Sequence, residues 1–172
     1  MQLPADRNLQ LHHIGVVVRE IAEIRKFYVD VLQYRECTPV IHDPVQTAFV
    51  QFLSIPGADH YVELISPDSE TSKLSKACRR GTALNHLCYS CENIGPILSF
   101  LRESGCFIIQ DPTPAVAFDG RRIAWLMTPD SLLLEILEGM SGESSLASVP
   151  INAQRSSQPK YHECPSLKRE NV

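Results

Sequence analysis

The 172-residue chain has no apolar run approaching the roughly 20 residues that carry a helix across a bilayer, which excludes a helical membrane protein. Its opening residues, MQLPADRNLQ, lack the apolar stretch behind a basic start that marks a secretory leader, so the cytoplasm is the expected location. A basic excess is also missing. The net charge is −4 with the signs interspersed, which leaves no basic stripe for nucleic acid. Cys37, Cys78, Cys88, Cys91, Cys106 and Cys164 are scattered through a chain too large to need covalent staples, so free thiols are expected. No second CxxC completes a tetrahedral zinc site with Cys88 and Cys91, and the alternating LNHLCYSC would turn those two thiols to opposite faces of a strand.

What is present is a repeat. Shifted by 73 residues, HIGVVVREIAEIRKFY (13–28) aligns without a gap on HLCYSCENIGPILSFL (86–101), matching His13 with His86, Ile21 with Ile94, Ile24 with Ile97 and Phe27 with Phe100. Each copy opens on a period-2 strand and changes to helical spacing: Ile21, Ile24, Tyr28 and Val31 in the first, Ile94, Ile97, Leu98 and Leu101 in the second. Asn93 is placed to cap the second helix, Pro96 falls in its first turn, and Gly105 closes it. Three strand-like pieces follow each helix: Arg35–Ile41, Thr47–Leu53 and Tyr61–Ile65, then Phe107–Gln110, Ile123–Met127 and Leu132–Leu137. The unit is βαβββ, used twice.

The fold class that follows is α+β, with two βαβββ modules building a shared, partly open, eight-stranded barrel-like cup. Module one spans 9–67, a linking helix 68–82 and module two 83–138, after an N-terminal arm at 1–8. Residues 139–172 are rich in Ser, Pro and charge without apolar periodicity, and read as a flexible tail outside the fold.

A histidine early in one strand and a glutamate late in another recur in the two halves: His13 and Glu63 lie 50 residues apart, His86 and Glu135 49 apart. Two imidazoles and two carboxylates brought together by a pseudo-twofold repeat make a four-donor pocket for a divalent metal. Taken singly, each has an ordinary reading, a hydrogen-bonded core histidine or the solvent side of a strand. Glu135, however, sits inside the apolar SLLLEILE, where an uncompensated carboxylate would be costly to bury. His12 rivals His13, but strand alternation puts neighbours on opposite faces, and the repeat pairs His13 with His86 and His12 with Asn85.

The phrases LHHIGVVV, FYVDVL, YVELISP, LNHLCYSCENI and RRIAWLMTPDSLLLEILE resemble the vicinal oxygen chelate superfamily over about residues 9–138. That superfamily includes glyoxalase I, methylmalonyl-CoA epimerase, extradiol dioxygenases and bleomycin-resistance proteins. DPVQ…VQFL, ELISPDSETS, and RRIAWL followed by TP and LLLEIL look most like the epimerase group. The resemblance implies metal ligation by His13, Glu63, His86 and Glu135, with zinc, cobalt, nickel or manganese as the ion. It also implies an isomerase that removes a proton beside a metal-polarised carbonyl, epimerising a 2-methyl acyl thioester such as methylmalonyl-CoA, with Glu135 or Glu63 as base.

Gln51 stands at the position most like an additional glutamate of some epimerases, and cannot itself act as a base; it and Arg122 are the expected substrate contacts. Lys73, Lys76, Arg79, Arg80, Arg121 and Arg122 form either a solvated charged face or a grip for coenzyme A phosphates. Trp125 and Phe118 read as core or rim packing. The expected partners are a small-molecule substrate, a CoA or carrier-bound thioester, and a second copy in a homodimer. Alternatives on the same fold are a glyoxalase I-like lyase, a metal-free small-molecule binding or resistance protein, and a biosynthetic pathway isomerase or cyclase.

Overall fold

The computed structural model describes residues 8–139 and Leu146. The change from strand to helical period after Val17 appears as β1 (Gln10–Val17) followed by α1 (Ile21–Lys26), whose backbone continues as one π-helical turn over Phe27–Val31. Then come β2 (Arg35–Glu36), β3 (Ile41–Asp43), β4 (Ala48–Ser54) and β5 (Tyr61–Pro67). The link holds α2 (Ser75–Arg79), shorter than expected because Ser72 and Thr47 side chains bond the backbone before it. The second copy gives β6 (Ala83–Cys91), α3 (Ile94–Glu103), β7 (Phe107–Pro114), β8 (Arg122–Met127) and β9 (Leu133–Glu138), with a 3₁₀ turn at Val116–Phe118.

α3 starts and stops where its sequence says. The Asn93 side chain accepts from the Gly95 N–H at 3.2 Å, and Gly105 takes a left-handed φ of 93°. Buried Ile94, Ile97, Leu98 and Phe100 line its inner side.

The strands form one sheet in the order β2-β4-β5-β1-β6-β9-β8-β7, with β3 pairing to β4, and the sheet does not close. Nine strands among the described residues exceed the expected eight because Arg35–Ile41 splits around Thr38-Pro39. There the Thr38 hydroxyl accepts the Phe52 N–H and the Thr38 carbonyl accepts from Gln51, side-chain bonds that replace the ladder beside a residue with no N–H. The repeat sets the topology: β1 and β6 pair antiparallel at the centre, and each pairs parallel with the last strand of its own half, β5 or β9.

The sheet has two faces and three apolar clusters. α1 covers Val62, Leu64, Leu53 and Val18 on the outer face of the first half, and α3 covers Ala124, Leu126, Leu134 and Ile136 on that of the second. The concave inner face gathers Val17, Val50, Phe52, Ile65, Cys88, Phe118, Ile123 and Leu137. The expected arm at 1–8 and tail at 139–172 lie, apart from residues 8, 139 and 146, outside the described residues; of these Leu146 is buried in this interior. Among the described residues, no helix is long and apolar enough to cross a membrane.

Candidate metal centre

The four central strands bring the repeat-related donors to one level of the cup. Gly15 of β1 is opposite Glu63 of β5 and His86 of β6, while Cys88 of β6 is opposite His13 of β1 and Glu135 of β9. Period-2 alternation then points His13, Glu63, His86 and Glu135 to the concave side. All four are buried. His13 Nε2 lies 3.3 Å from Glu63 Oε2, 3.1 Å from Glu135 Oε2 and 2.9 Å from His86 Nε2. His86 Nε2 lies 3.4 Å from Glu63 Oε2 and 3.6 Å from Glu135 Oε2.

These spacings fit a shared divalent ion. Donors at about 2.0–2.2 Å from a common centre, at tetrahedral or octahedral angles, stand roughly 3.0–3.6 Å from one another. The donor chemistry fits as well, since two imidazoles and two carboxylates suit borderline and hard cations, and two buried carboxylates call for positive charge beside them.

Gly15 makes room for this arrangement. A Cβ built on it would stand 2.2 Å from His86 Cε1, 2.4 Å from Nδ1 and 2.8 Å from Nε2, so the imidazole occupies the space a side chain would fill. The cup wall is aromatic: His13 packs edge-on to Phe52 at 5.2 Å and stacks on Phe118 at 6.0 Å, and Trp125 meets His86 edge-on at 4.7 Å. The buried Trp125 Nε1 has no hydrogen-bond partner among the described residues.

The charges are strongly coupled. Burial alone would lower His13, but Cys88, Glu63 and Glu135 outweigh it and hold the imidazole well above its ordinary value. Burial also pushes the Cys88 thiol up and keeps it protonated, so the carboxylates are the charges that act on His13. Glu135 shows the converse: burial would raise it, yet hydrogen bonds and attraction from His13 and His86 hold it below the usual carboxylate range. His12 is pushed down to about 3, by burial first and by His13 second, and stays neutral.

His12 is not turned away from the cup as strand alternation suggested. The β1–β6 register slips by one residue between Leu11 and His13, leaving His12 as the extra residue of a β-bulge. Its ring turns inward to Tyr61 and Phe118 at 5.3 and 5.5 Å, and its Nδ1 lies 2.9 Å from His13 Nδ1. His12, His13 and Cys88 thus form a second buried donor group beside the first. As expected, Cys88 and Cys91 face opposite sides, in the cup and under α3, and both are free.

Neither expected substrate contact joins the cluster. Gln51 is opposite Leu64 on the outer face, where its amide donates to Glu36 at 2.9 Å and to the Thr38 carbonyl at 3.0 Å. Arg122 is exposed on the outer face of β8 and forks onto Glu138 at 2.8 and 2.6 Å. Parity carried the signal for both: Phe52 is opposite Glu63 and Trp125 opposite Glu135, so Gln51, one residue away, and Arg122, three away, must face outward. The same parity places Gly15, Phe52, Trp125 and Cys88 inside, and only the fold adds Phe118.

The family comparison agrees with this architecture. Residues 12–125 match the Glyoxalase/Bleomycin resistance protein/Dioxygenase superfamily. No curated protein matches the chain. Among solved structures, a hypothetical protein of Bacillus halodurans C-125 is 28% identical, with a TM-score of 0.68 over 78% of this chain and 97% of its own. Methylmalonyl-CoA epimerase from Mycobacterium tuberculosis is 21% identical, with a TM-score of 0.67 over 81% and 93%. A Streptomyces coelicolor methylmalonyl-CoA epimerase in complex with 2-nitronate-propionyl-CoA is 19% identical, with a TM-score of 0.69 over 77% and 99%. Sequence match and fold together make this chain a member of the glyoxalase, bleomycin resistance protein and dioxygenase superfamily.

Proposed function

We propose that the protein is a metal-dependent isomerase that abstracts a proton from the carbon next to a carbonyl, with His13, Glu63, His86 and Glu135 as its cation ligands. One observation carries this reading: in a buried cup the His13 and His86 Nε2 atoms of the duplicated halves stand 2.9 Å apart, and each lies 3.1 to 3.6 Å from a carboxylate oxygen of Glu63 and of Glu135. A divalent cation there, zinc, cobalt, nickel or manganese, would supply the Lewis acidity that polarises the carbonyl. The chain's own groups do the rest. Glu135, held ionised by His13 and His86, accepts the proton, and Glu63, the other carboxylate beside both imidazoles, is the group for return of a proton to the other face. Phe52, Phe118 and Trp125 wall the cup against water, and the unpartnered Trp125 N–H would be a donor for a substrate oxygen.

A 2-methyl acyl thioester of coenzyme A, such as methylmalonyl-CoA, is the substrate class we favour. Support comes from the epimerases of similar fold, one of them in complex with 2-nitronate-propionyl-CoA. The test is elemental analysis of the purified protein, followed by incubation of metal-loaded protein in deuterium oxide with 2-methyl acyl thioesters and, in parallel, hemithioacetals. Deuterium at the α-carbon of the thioesters, lost in His86→Ala and Glu135→Ala, is the expected result. Exchange that persists in both variants would refute the mechanism, and exchange into hemithioacetals alone would replace the epimerase with a glyoxalase I-like lyase.

A further inference from the structure

Each proposed ligand imidazole is held from behind by the residue that precedes it. His13 Nδ1 lies 2.9 Å from His12 Nδ1, and His86 Nδ1 lies 3.0 Å from Asn85 Oδ1. His12 and Asn85 are equivalent under the 73-residue shift. Strand alternation would send both to the outer face, yet both escape it by the same device. Between Leu11 and His13 the extra residue is on β1 and is His12; between Gly15 and Val16 the extra residue is on β6, opposite, and is Asn85. Two bulges in one strand pair, each at the residue before a proposed ligand, re-aim a side chain onto the neighbouring ring.

The chemistry of the acceptors then matters. An amide oxygen only accepts, so its bond to His86 Nδ1 requires the proton there and leaves Nε2 with its lone pair. His13 Nε2 faces Glu63, Glu135 and His86, so a cation held between them would take its lone pair, and its Nδ1 would then keep a hydrogen and donate to His12. The proton of His12 is then on Nε2, the buried nitrogen that has no partner among the described residues.

We propose that His12 and Asn85 are paired positioning residues, each accepting the Nδ1–H of the following histidine and so fixing the tautomer that aims both Nε2 lone pairs between Glu63 and Glu135. The proposal rests on the reading of that cluster as a cation site. It also explains why two different residue types occupy equivalent places: Nδ1 of histidine and Oδ1 of asparagine are both attached to Cγ, so each offers an acceptor at the same reach.

Two measurements test it. Long-range proton–nitrogen correlation spectra of the imidazoles, taken on zinc-loaded wild-type protein and on metal-free protein for comparison, should find in the loaded protein the proton of His86 on Nδ1 and that of His12 on Nε2. Zinc affinity by chelator competition should fall about 10- to 100-fold in His12→Leu and in Asn85→Leu, and stay within about threefold of wild type in His12→Asn, which restores an acceptor. A His86 proton on Nε2, a His12 proton on Nδ1, or wild-type affinity in both leucine variants would overturn the proposal. Wild-type protein that binds no zinc while showing both tautomers would defeat the cation reading and leave the tautomer assignment standing, so the two failures are distinguishable.

Discussion

Replacing Gly15 by alanine adds one methyl group at the point where the structure has least room. The new Cβ would stand 2.2 Å from His86 Cε1, whereas an ordinary contact begins near 3.4 Å, so ring and strand must separate by the difference, 1.2 Å. β1 cannot supply that movement cheaply, because it is paired on both sides at this residue, to Glu63 and to His86. The imidazole must move, and its Nε2 leaves a cluster whose spacings span only 2.9 to 3.6 Å. Displacing one donor by that much should weaken zinc binding about 10- to 100-fold, or about 1.4–2.7 kcal/mol. Gly15 does not adopt a left-handed φ, so alanine there is opposed by space and not by backbone strain. Overpacking by one methyl should destabilise the fold by about 1–3 kcal/mol. Chelator competition reads the first quantity and urea unfolding the second. In the His86→Ala background the same alanine should be nearly neutral to stability, since its collision partner is gone. Wild-type zinc affinity in Gly15→Ala, or an equal destabilisation in both backgrounds, would refute the reasoning.

Two further outcomes follow from the charges and from the two-faced sheet. The His13 imidazole is held protonated by its carboxylates, so a cation that takes its Nε2 must displace a proton; affinity should therefore rise with pH below the raised pKa, by about one log unit per pH unit, and flatten above it. A flat profile across neutral pH in a buffered competition titration would show that His13 carries no proton to displace. Arg122→Ala removes only the outer-face fork with Glu138, so kcat and KM for the thioester substrate should stay within about twofold of wild type, and a large rise in KM would place Arg122 back at the site.

The architecture was legible because a duplicated sequence repeats its physics. The shift from period 2 to helical spacing located α1 and α3, Asn93 and Gly105 bounded α3, and the His–Glu spacing named two histidines that the fold sets side by side, each within 3.6 Å of both glutamates. Alternation alone runs Arg35–Ile41 as one strand, and the break comes from β4, where the Gln51 amide and the Phe52 N–H bond to Thr38. Likeness of position points Gln51 to the site and positive charge points Arg122 there, although the parity of their strands, counted from Glu63 and Glu135, sends them to the other face.

Alternation and helical periodicity are local properties of the backbone, so residue order alone sets which groups are available and which face of each regular strand they take. Where the register slips, the outcome depends on how distant strands pair. Bulges arise from the pairing of two strands 73 residues apart, and they turned His12 and Asn85 from outward neighbours into partners of the imidazoles. The same is true of the space at Gly15 and the burial of Leu146, since each depends on which atoms arrive from elsewhere in the chain.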